Sequence, residues 1–429
     1  MKVNKKIIYI IAISLVVFLL QICLYGVQDF TDTETYLSAW DNILKGNVDE
    51  FRTPVYPIYL GSLKDIFKET NFIYAAAVGQ YIVMLLSIPI FYKITFIFTS
   101  SDKLSFWLSA FYAACPTFIG YTTCLLTESL SISGSVFLLY GIIMLYTRCS
   151  WFWLFVNAML FYLLLLLRPS FLYIIPVMIC FCCICLIKKK KQTALFGLII
   201  SLSSICIIGC YAMEFKKQYG IYSISKVSTW NRWDIARQYG LLKPELIEDS
   251  ALRSDIETSF ELHGVMYEGA IETSLPKEEK AEKVYIFNKH KLKTINDALT
   301  ISFLDNPIKY IPSIISRTAR ASVKPVFASY SGGWYNEIGK ILSVNLGFIY
   351  CFLLFYAVII VKWVRSNKVI PTMSSFVFML IISNYVISII GAQEEWNRLV
   401  VPSLPYILIL FGQICNRLSV EKLKKPYLI

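Results

Sequence analysis

Charge is scarce in this chain: Asp, Glu, Lys and Arg supply 16% of its 429 residues. A soluble globular domain carries about a quarter, so that class is excluded. Cysteine is scarce where a disulfide framework would need it. None of the twelve lies in either of the two large polar loops, residues 26–71 and 214–340. They sit in or beside apolar segments, and the cluster Cys180, Cys182, Cys183 and Cys185 reads as small apolar filler rather than a zinc site. No metal box of the usual ligands is evident, and no cofactor is expected. No internal repeat is present. No small-residue cleavage site comes after the first apolar run, so Ile7–Tyr25 is expected to be an uncleaved first helix rather than a signal peptide.

Long apolar runs are what the chain has in quantity. Hydrophobic residues make up 56%, mean hydropathy is +0.58, and the runs match the ~20 residues that cross a hydrocarbon core. The fold class is an all-α polytopic membrane protein. After the first helix, the expected spans are Phe72–Phe98, Leu104–Thr122, Thr127–Tyr146, Trp151–Leu167, Ser170–Ile187, Thr193–Met213, Ile341–Val361, Ile370–Ile390 and Leu399–Cys415. With the first, that is about ten transmembrane helices. The formal charge of +12 needs no nucleic acid, because basic residues collect in cytoplasmic loops. Lys2, Lys5 and Lys6, then Lys93, Lys103, Arg148, Lys188–Lys191, Lys362, Arg365, Lys368, Arg417, Lys422, Lys424 and Lys425 all fall on one side of this topology. Both termini are therefore expected in the cytoplasm. The first outer loop breaks the pattern with Lys45, Arg52, Lys64 and Lys68, and Pro54–Phe67 is expected to lie along or re-enter the interface.

The chain divides into three parts: a transmembrane catalytic module over 1–213, an extracytoplasmic, mostly helical subdomain over 214–340, and a C-terminal transmembrane module over 341–429. The middle part holds both histidines, His263 and His290. It also holds amphipathic patterns at Ile295–Phe303 and Ile308–Ile315, and an aromatic-edged Ser331–Tyr335 piece.

The topology gathers nearly every charge fit for chemistry on the outer face. The stretch 29–57, DFTDTETYLSAWDNILKGNVDEFRTPVYP, sets Asp29, Asp32 and Glu34 just beyond a helix end. A carboxylate there is able to act as a general base or simply belong to a solvated loop. Glu128 opens the fourth span, where the helix dipole favours it, yet an ionisable group at membrane depth usually faces a cavity. Arg168 precedes Pro169, either snorkelling to the interface or holding a phosphate. Arg398 comes after Glu394 and Glu395, as an intrahelical salt-bridge partner or a bidentate phosphate ligand.

Asp32-Thr-Glu34-Thr-Tyr36 with Ala39, Gly46 and Arg52-Thr-Pro54-Val-Tyr56-Pro57 resembles the first outer loop of the GT-C-fold glycosyltransferases. These are polyprenyl-phosphate-sugar-dependent membrane enzymes that include protein O-mannosyltransferases and lipid A aminoarabinose transferases. Cys115-Pro116 to Thr127-Glu128-Ser129-Leu130 is similar to their second acidic site. Asn306-Pro307-Ile308-Lys309-Tyr310 is similar to an amphipathic helix that precedes their later spans. Glu395-Trp396-Asn397-Arg398 with Pro402 and Pro405 resembles their closing signature. The resemblance touches about a quarter of the chain, in the family's order. It implies Asp32 as the base that deprotonates the acceptor, with Asp29 as fallback and Glu128 as support. It also implies Arg52, Arg168 and above all Arg398 at the donor phosphate, with Tyr36 and Glu395 among the substrate-binding groups. The expected reaction moves a sugar from a polyprenyl-phosphate donor to an envelope glycan, lipid or protein, with inversion, on the outer side of a bacterial inner membrane. The alternatives are an envelope polysaccharide polymerase or ligase, a lipid-linked sugar transporter or flippase, and a non-catalytic assembly protein on the same fold. Near-absence of charge within the spans disfavours the transporter.

Overall fold

A computed structural model describes residues 5–248, 250, 253–254, 257, 292–326, 344–367, 371–392 and 396–420. Ser331–Tyr335, His263, His290, Glu394 and Glu395 lie outside them. Among the described residues the regular structure is helical, with two isolated bridges, Gln28–Cys124 and Pro325–Asn345. Seven helices among the described residues are long and apolar enough to cross a membrane: Lys5–Tyr25, Asn71–Thr99, Glu128–Arg148, Pro169–Ile187, Lys191–Tyr219, Leu346–Asn367 and Thr372–Gly391.

The other three expected spans are shorter. Trp151–Leu167 and Val401–Asn416 are apolar helices below that length. The third is interrupted: α4 (Asp102–Ala114) stops at Cys115, and Pro116 opens the short α5 (Pro116–Gly120). Proline has no N–H to continue the ladder and forces its predecessor out of the helical region, and Cys115 is accordingly extended (φ −65°, ψ 131°).

α1 (Lys5–Tyr25) leads through an extended link into α2 (Thr31–Leu44), an amphipathic helix. α3 (Val55–Thr99) holds the expected interfacial stretch as its first turns and bends at Lys68, whose φ of 60° leaves the helical region, before the span proper. Gly61 lets α2 and α3 touch, since a Cβ there would sit 2.1 Å from Trp40 Cγ. α6 (Glu128–Arg148) is the most enclosed span, 67% buried across its apolar window. Its opening run of Ser129, Ser131, Ser133, Gly134 and Ser135 is small enough for close approach, the usual means of packing helices in lipid. Gly134 faces Leu164 and Gly141 faces Asn157, both on α7 (Trp151–Leu167). α8 (Ile174–Ile187) and α9 (Lys191–Tyr219) complete this half.

A second, smaller core stands apart from that of the bundle. Phe215 and Ile221 meet Trp233 and Ala236 of α10 (Val227–Gln238), and Leu292, Ile295, Ala298 and Leu299 of α11 (Leu292–Asp305). Val48, from the loop after α2, joins it. α12 (Tyr310–Ser322) comes after Pro307–Lys309, so both expected amphipathic patterns are helices. Beyond the polar segment come α13 (Leu346–Asn367), α14 (Thr372–Gly391), the single turn α15 (Trp396–Leu399) and α16 (Leu404–Val420). At the end of the bundle where α1 begins, Lys6 pairs with Asp102, and Lys190 donates to Tyr146 O at 3.1 Å. A 21-residue α1 places that basic end roughly 30 Å from α2 at a rise of about 1.5 Å per residue.

Candidate active site

The link after α1 runs alongside the turn before α6. Gln28 N donates to Thr123 O at 2.8 Å, and Leu125 N donates to Gln28 O at 3.1 Å. Buried Gln80 of α3 holds the turn from behind, its Nε2 reaching Thr122 O (3.0 Å) and Cys124 O (2.9 Å). Tyr56 Oη donates to Gln80 Oε1 at 3.0 Å, and the Tyr56 ring meets Tyr36 edge-on at 4.6 Å. Asp32, in the first turn of α2, is thus pinned beside Glu128, the first residue of α6.

Three arginines arrive from elsewhere in the chain. Arg52 ends a loop that Asp49 shapes, accepting from the backbone N–H of Phe51 (2.9 Å) and Arg52 (2.8 Å). Arg168 ends α7, turned away from helical dihedrals (φ −154°, ψ 125°) just before Pro169. Arg398 sits in α15. Together with the two carboxylates they form one alternating chain. Arg52 Nη2 meets Asp32 Oδ1 at 2.6 Å, and Arg398 Nη2 meets Asp32 Oδ2 at 2.8 Å. Arg398 Nε meets Glu128 Oε1 at 2.5 Å, and Arg168 Nη2 meets the same oxygen at 3.2 Å.

The five residues have different standings in solvent. Side-chain exposure falls from 26% at Asp32 through 14% at Arg398 to 0% at Glu128, so the chain opens outward at Asp32 and Arg52. An isolated buried carboxylate is costly, and Glu128 is tolerated at 0% exposure because two guanidiniums pair with it. Three guanidiniums against two carboxylates leave one positive charge in excess. Arg168 Nη1 and Glu128 Oε2, both buried, make no hydrogen bond among the described residues.

Burial is the largest single influence on Asp32 and disfavours its charged form. The charges of Arg52 and Arg398, with a hydrogen bond from each, together outweigh it and hold the carboxyl below the usual aspartate range. Tyr36 is raised, chiefly by burial, with the Arg52 charge opposing. Arg52 lies 4.3 Å above the Tyr36 ring, and its Nε donates to Thr35 Oγ1 at 2.8 Å.

Of the candidate residues in the sequence, Asp32, Glu128, Arg52, Arg168 and Arg398 share this chain, and Tyr36 supports it. Asp29 does not join: it is exposed and accepts from the N–H of Phe30 at 2.8 Å. Arg168 does not snorkel; it is 8% exposed and turned inward to Glu128. Arg398 reaches across to Asp32 and Glu128, separated from it by 366 and 270 residues, while Glu394 and Glu395 lie outside the described residues. Gln80 escapes a reading of the sequence, because a lone glutamine in an apolar run carries no spacing signal.

Beside the open end lies a cavity of about 410 Å³, lined by Glu34, Thr35, Ser38, Asn42, Asp49, Glu50, Phe51 and Tyr219. It shares Thr35 with the arginine contacts. Among the described residues no three His, Cys, Asp or Glu side chains gather as a metal site would need; Arg398 stands between the two acids instead.

No protein-family model matches the chain, and no curated protein matches it in sequence. Solved structures do match in shape. The archaeal oligosaccharyltransferase AglB from Archaeoglobus fulgidus, in complex with an inhibitory peptide and a dolichol-phosphate, superposes with a TM-score of 0.51 at 12% identity, covering 98% of this chain and 52% of that one. The apo form of the Archaeoglobus fulgidus oligosaccharyltransferase gives 0.50 at 13% identity, covering 98% and 53%. The form tethered to an acceptor peptide containing the NVT sequon gives 0.51 at 12%, covering 97% and 51%. This chain spans about half the length of each. At such identities the likeness is one of fold, and the fold is that of the GT-C membrane glycosyltransferases.

Proposed function

We propose that this protein is a membrane glycosyltransferase that takes a sugar from a polyprenyl-phosphate-linked donor and transfers it, with inversion, to an envelope glycan, lipid or protein. The carrying observation is the Arg52–Asp32–Arg398–Glu128–Arg168 chain, with its one excess positive charge beside an exposed-edge carboxylate. A lipid phosphate needs cations, with arginine forks the best geometric match. An acceptor hydroxyl or amine needs a base. Of the neighbouring archaeal structures, one holds a dolichol-phosphate and another an acceptor peptide, which supports a lipid-phosphate donor and a separate acceptor here.

In this reading the donor phosphate binds Arg398, aided by Arg168 and Arg52. The acceptor enters from the cavity beside Thr35. Its oxygen or nitrogen attacks the anomeric carbon, the bond from that carbon to the phosphate oxygen breaks, and the phosphate keeps the electron pair. The acceptor proton passes to Asp32, with Asp29 as the reserve base. At rest Asp32 is a weak base, because both its oxygens are held by arginines. A phosphate that draws Arg398 and Arg52 toward itself weakens those bonds and raises the basicity of Asp32 when a leaving group is in place. Glu128 keeps the arginines oriented from beneath. Glu395 is retained as a substrate-side group by its place in the closing signature.

We further infer that the site faces outward from a bacterial inner membrane with both termini cytoplasmic, since the basic loops fall at the opposite end. The 1–213, 214–340 and 341–429 division is proposed as catalytic module, outer subdomain and closing module. The test is transfer from radiolabelled polyprenyl-phosphate sugars in membranes containing the protein, with a nucleotide sugar as control donor. Transfer from the lipid donor alone is expected. Transfer from the nucleotide sugar, or from neither across a panel of donors and envelope acceptors, would count against the reading.

A further inference from the structure

Arg317 is 2% exposed, and among the described residues no carboxylate lies within ion-pair distance of it. Its guanidinium is turned instead onto the end of α14. Nη1 donates to Ile389 O at 2.5 Å, and to Ile390 O and Ala392 O at 3.2 Å each. Nε returns to Ser313 O, one turn back on α12, at 3.2 Å. The last carbonyls of a helix have no partner within it and carry the negative end of its dipole. Among the described residues the buried cation there is compensated by backbone carbonyls and by Ser313 Oγ, which accepts from Nη2 at 3.5 Å, and the contact fixes where α14 ends.

The same end of α14 also anchors α15. Ala392 O, which accepts from Arg317, accepts from Trp396 Nε1 at 3.1 Å. Trp396 is 1% exposed and has Arg320, from the next turn of α12, 5.6 Å over its ring. Trp396 opens α15, which two residues later presents Arg398 to Asp32 and Glu128.

We propose that Arg317 is a positioning residue for Arg398: α12, in the polar segment, holds the end of α14 and Trp396 so that Arg398 bridges the two carboxylates. An event that shifts α12 is thereby transmitted to the arginine. The inference rests on the proposed function for its catalytic meaning, but its structural core requires no substrate.

Hydrogen–deuterium exchange on the purified full chain tests that core, comparing wild type with Arg317→Met and Arg317→Lys. Arg317→Met should speed exchange by about tenfold at 388–392 and 396–400 while 151–219 stays unchanged, as a local opening requires. Arg317→Lys keeps the charge without the planar fork and should fall between. Unchanged exchange at 388–392 and 396–400, or an equal rise throughout, would overturn the proposal. A transfer assay adds the link to Arg398. Arg317→Met should lower activity in the wild-type background and have no further effect on Arg398→Gln, whereas independent, multiplying losses would contradict it. A wild type without transfer would count against the proposed function, and the exchange result would still decide the role of Arg317.

Discussion

Asp32 carries the sharpest consequences at the scale of single residues. A carboxyl held below its usual range is ionised above the ordinary aspartate value and loses its ion pairs as pH falls through the lowered one. The acid limb of kcat/KM, which reports free enzyme, should therefore lie below a pH of about 4. The limb of kcat should lie higher, because bound phosphate draws the arginines away. Coincident limbs would contradict that exchange of partners. Glu128 differs, being fully buried between Arg168 and Arg398. Glu128→Gln leaves two arginines without their shared counter-charge, a change that costs about 3–5 kcal/mol in comparable buried pairs. It should lower thermal stability in detergent along with activity. Asp29→Asn touches only an exposed backbone contact and should leave both near wild type in this account; loss of transfer would move the base to Asp29. The five charges of the chain are conspicuous in the sequence because charge elsewhere is so sparse. Their pairing is not, because Arg398 and Asp32 lie 366 residues apart and only the folded bundle brings them together.

Among elements, the seating of α2 on α3 decides whether the site exists. Gly61 admits the Trp40 indole, which also donates from Nε1 to Asp65 Oδ2 at 3.1 Å. Gly61→Ala drives a methyl into the rigid root of that ring, and overpacking of this kind costs about 1–3 kcal/mol. Faster proteolysis within 45–54 and reduced transfer should result, and an unaltered digestion pattern would show that α2 is held by other means. Gln80 is the second fastening. Gln80→Leu keeps the bulk of the side chain and deletes three buried hydrogen bonds, each worth about 1 kcal/mol. It should loosen the 121–125 turn and with it the pairing of Asp32 and Glu128, visible as faster amide exchange at Leu125. Helix periods and apolar length make the spans legible in sequence. Short or broken elements are less so: α4 ends after 13 residues because Pro116 intervenes, a breaker that the sequence shows but that apolar length alone passes over in Leu104–Thr122. The Tyr56–Gln80 staple depends on which faces of one long helix meet a turn, and that is set by packing.

At the scale of the whole molecule, charge is separated along the bundle. Basic residues collect where α1 begins, and the arginine–carboxylate chain sits at the other end, next to the second small core built from residues within 215–247 and 292–299 and from Val48. That small core fastens the Arg52 loop. Lys226 N donates to Glu50 O at 2.7 Å, Ser225 Oγ donates to Phe51 O at 2.6 Å, and Tyr219 Oη donates to Val48 O at 2.9 Å. The polar segment therefore reaches the site twice, through this loop and through Arg317. The GT-C fold is legible from the order of weak motifs along the chain. The double attachment is not, because it joins partners 171 and 174 residues apart at the loop and 72 to 75 apart at Arg317, through backbone groups that no motif records. The most direct test of the account is sugar transfer from radiolabelled polyprenyl-phosphate sugars to envelope material by wild type and Asp32→Asn, at equal membrane abundance. Transfer by the wild type that falls at least about a hundredfold in the variant, the loss expected for a general base, is the predicted result. Equal transfer by the two proteins would contradict the assignment of Asp32 as the base.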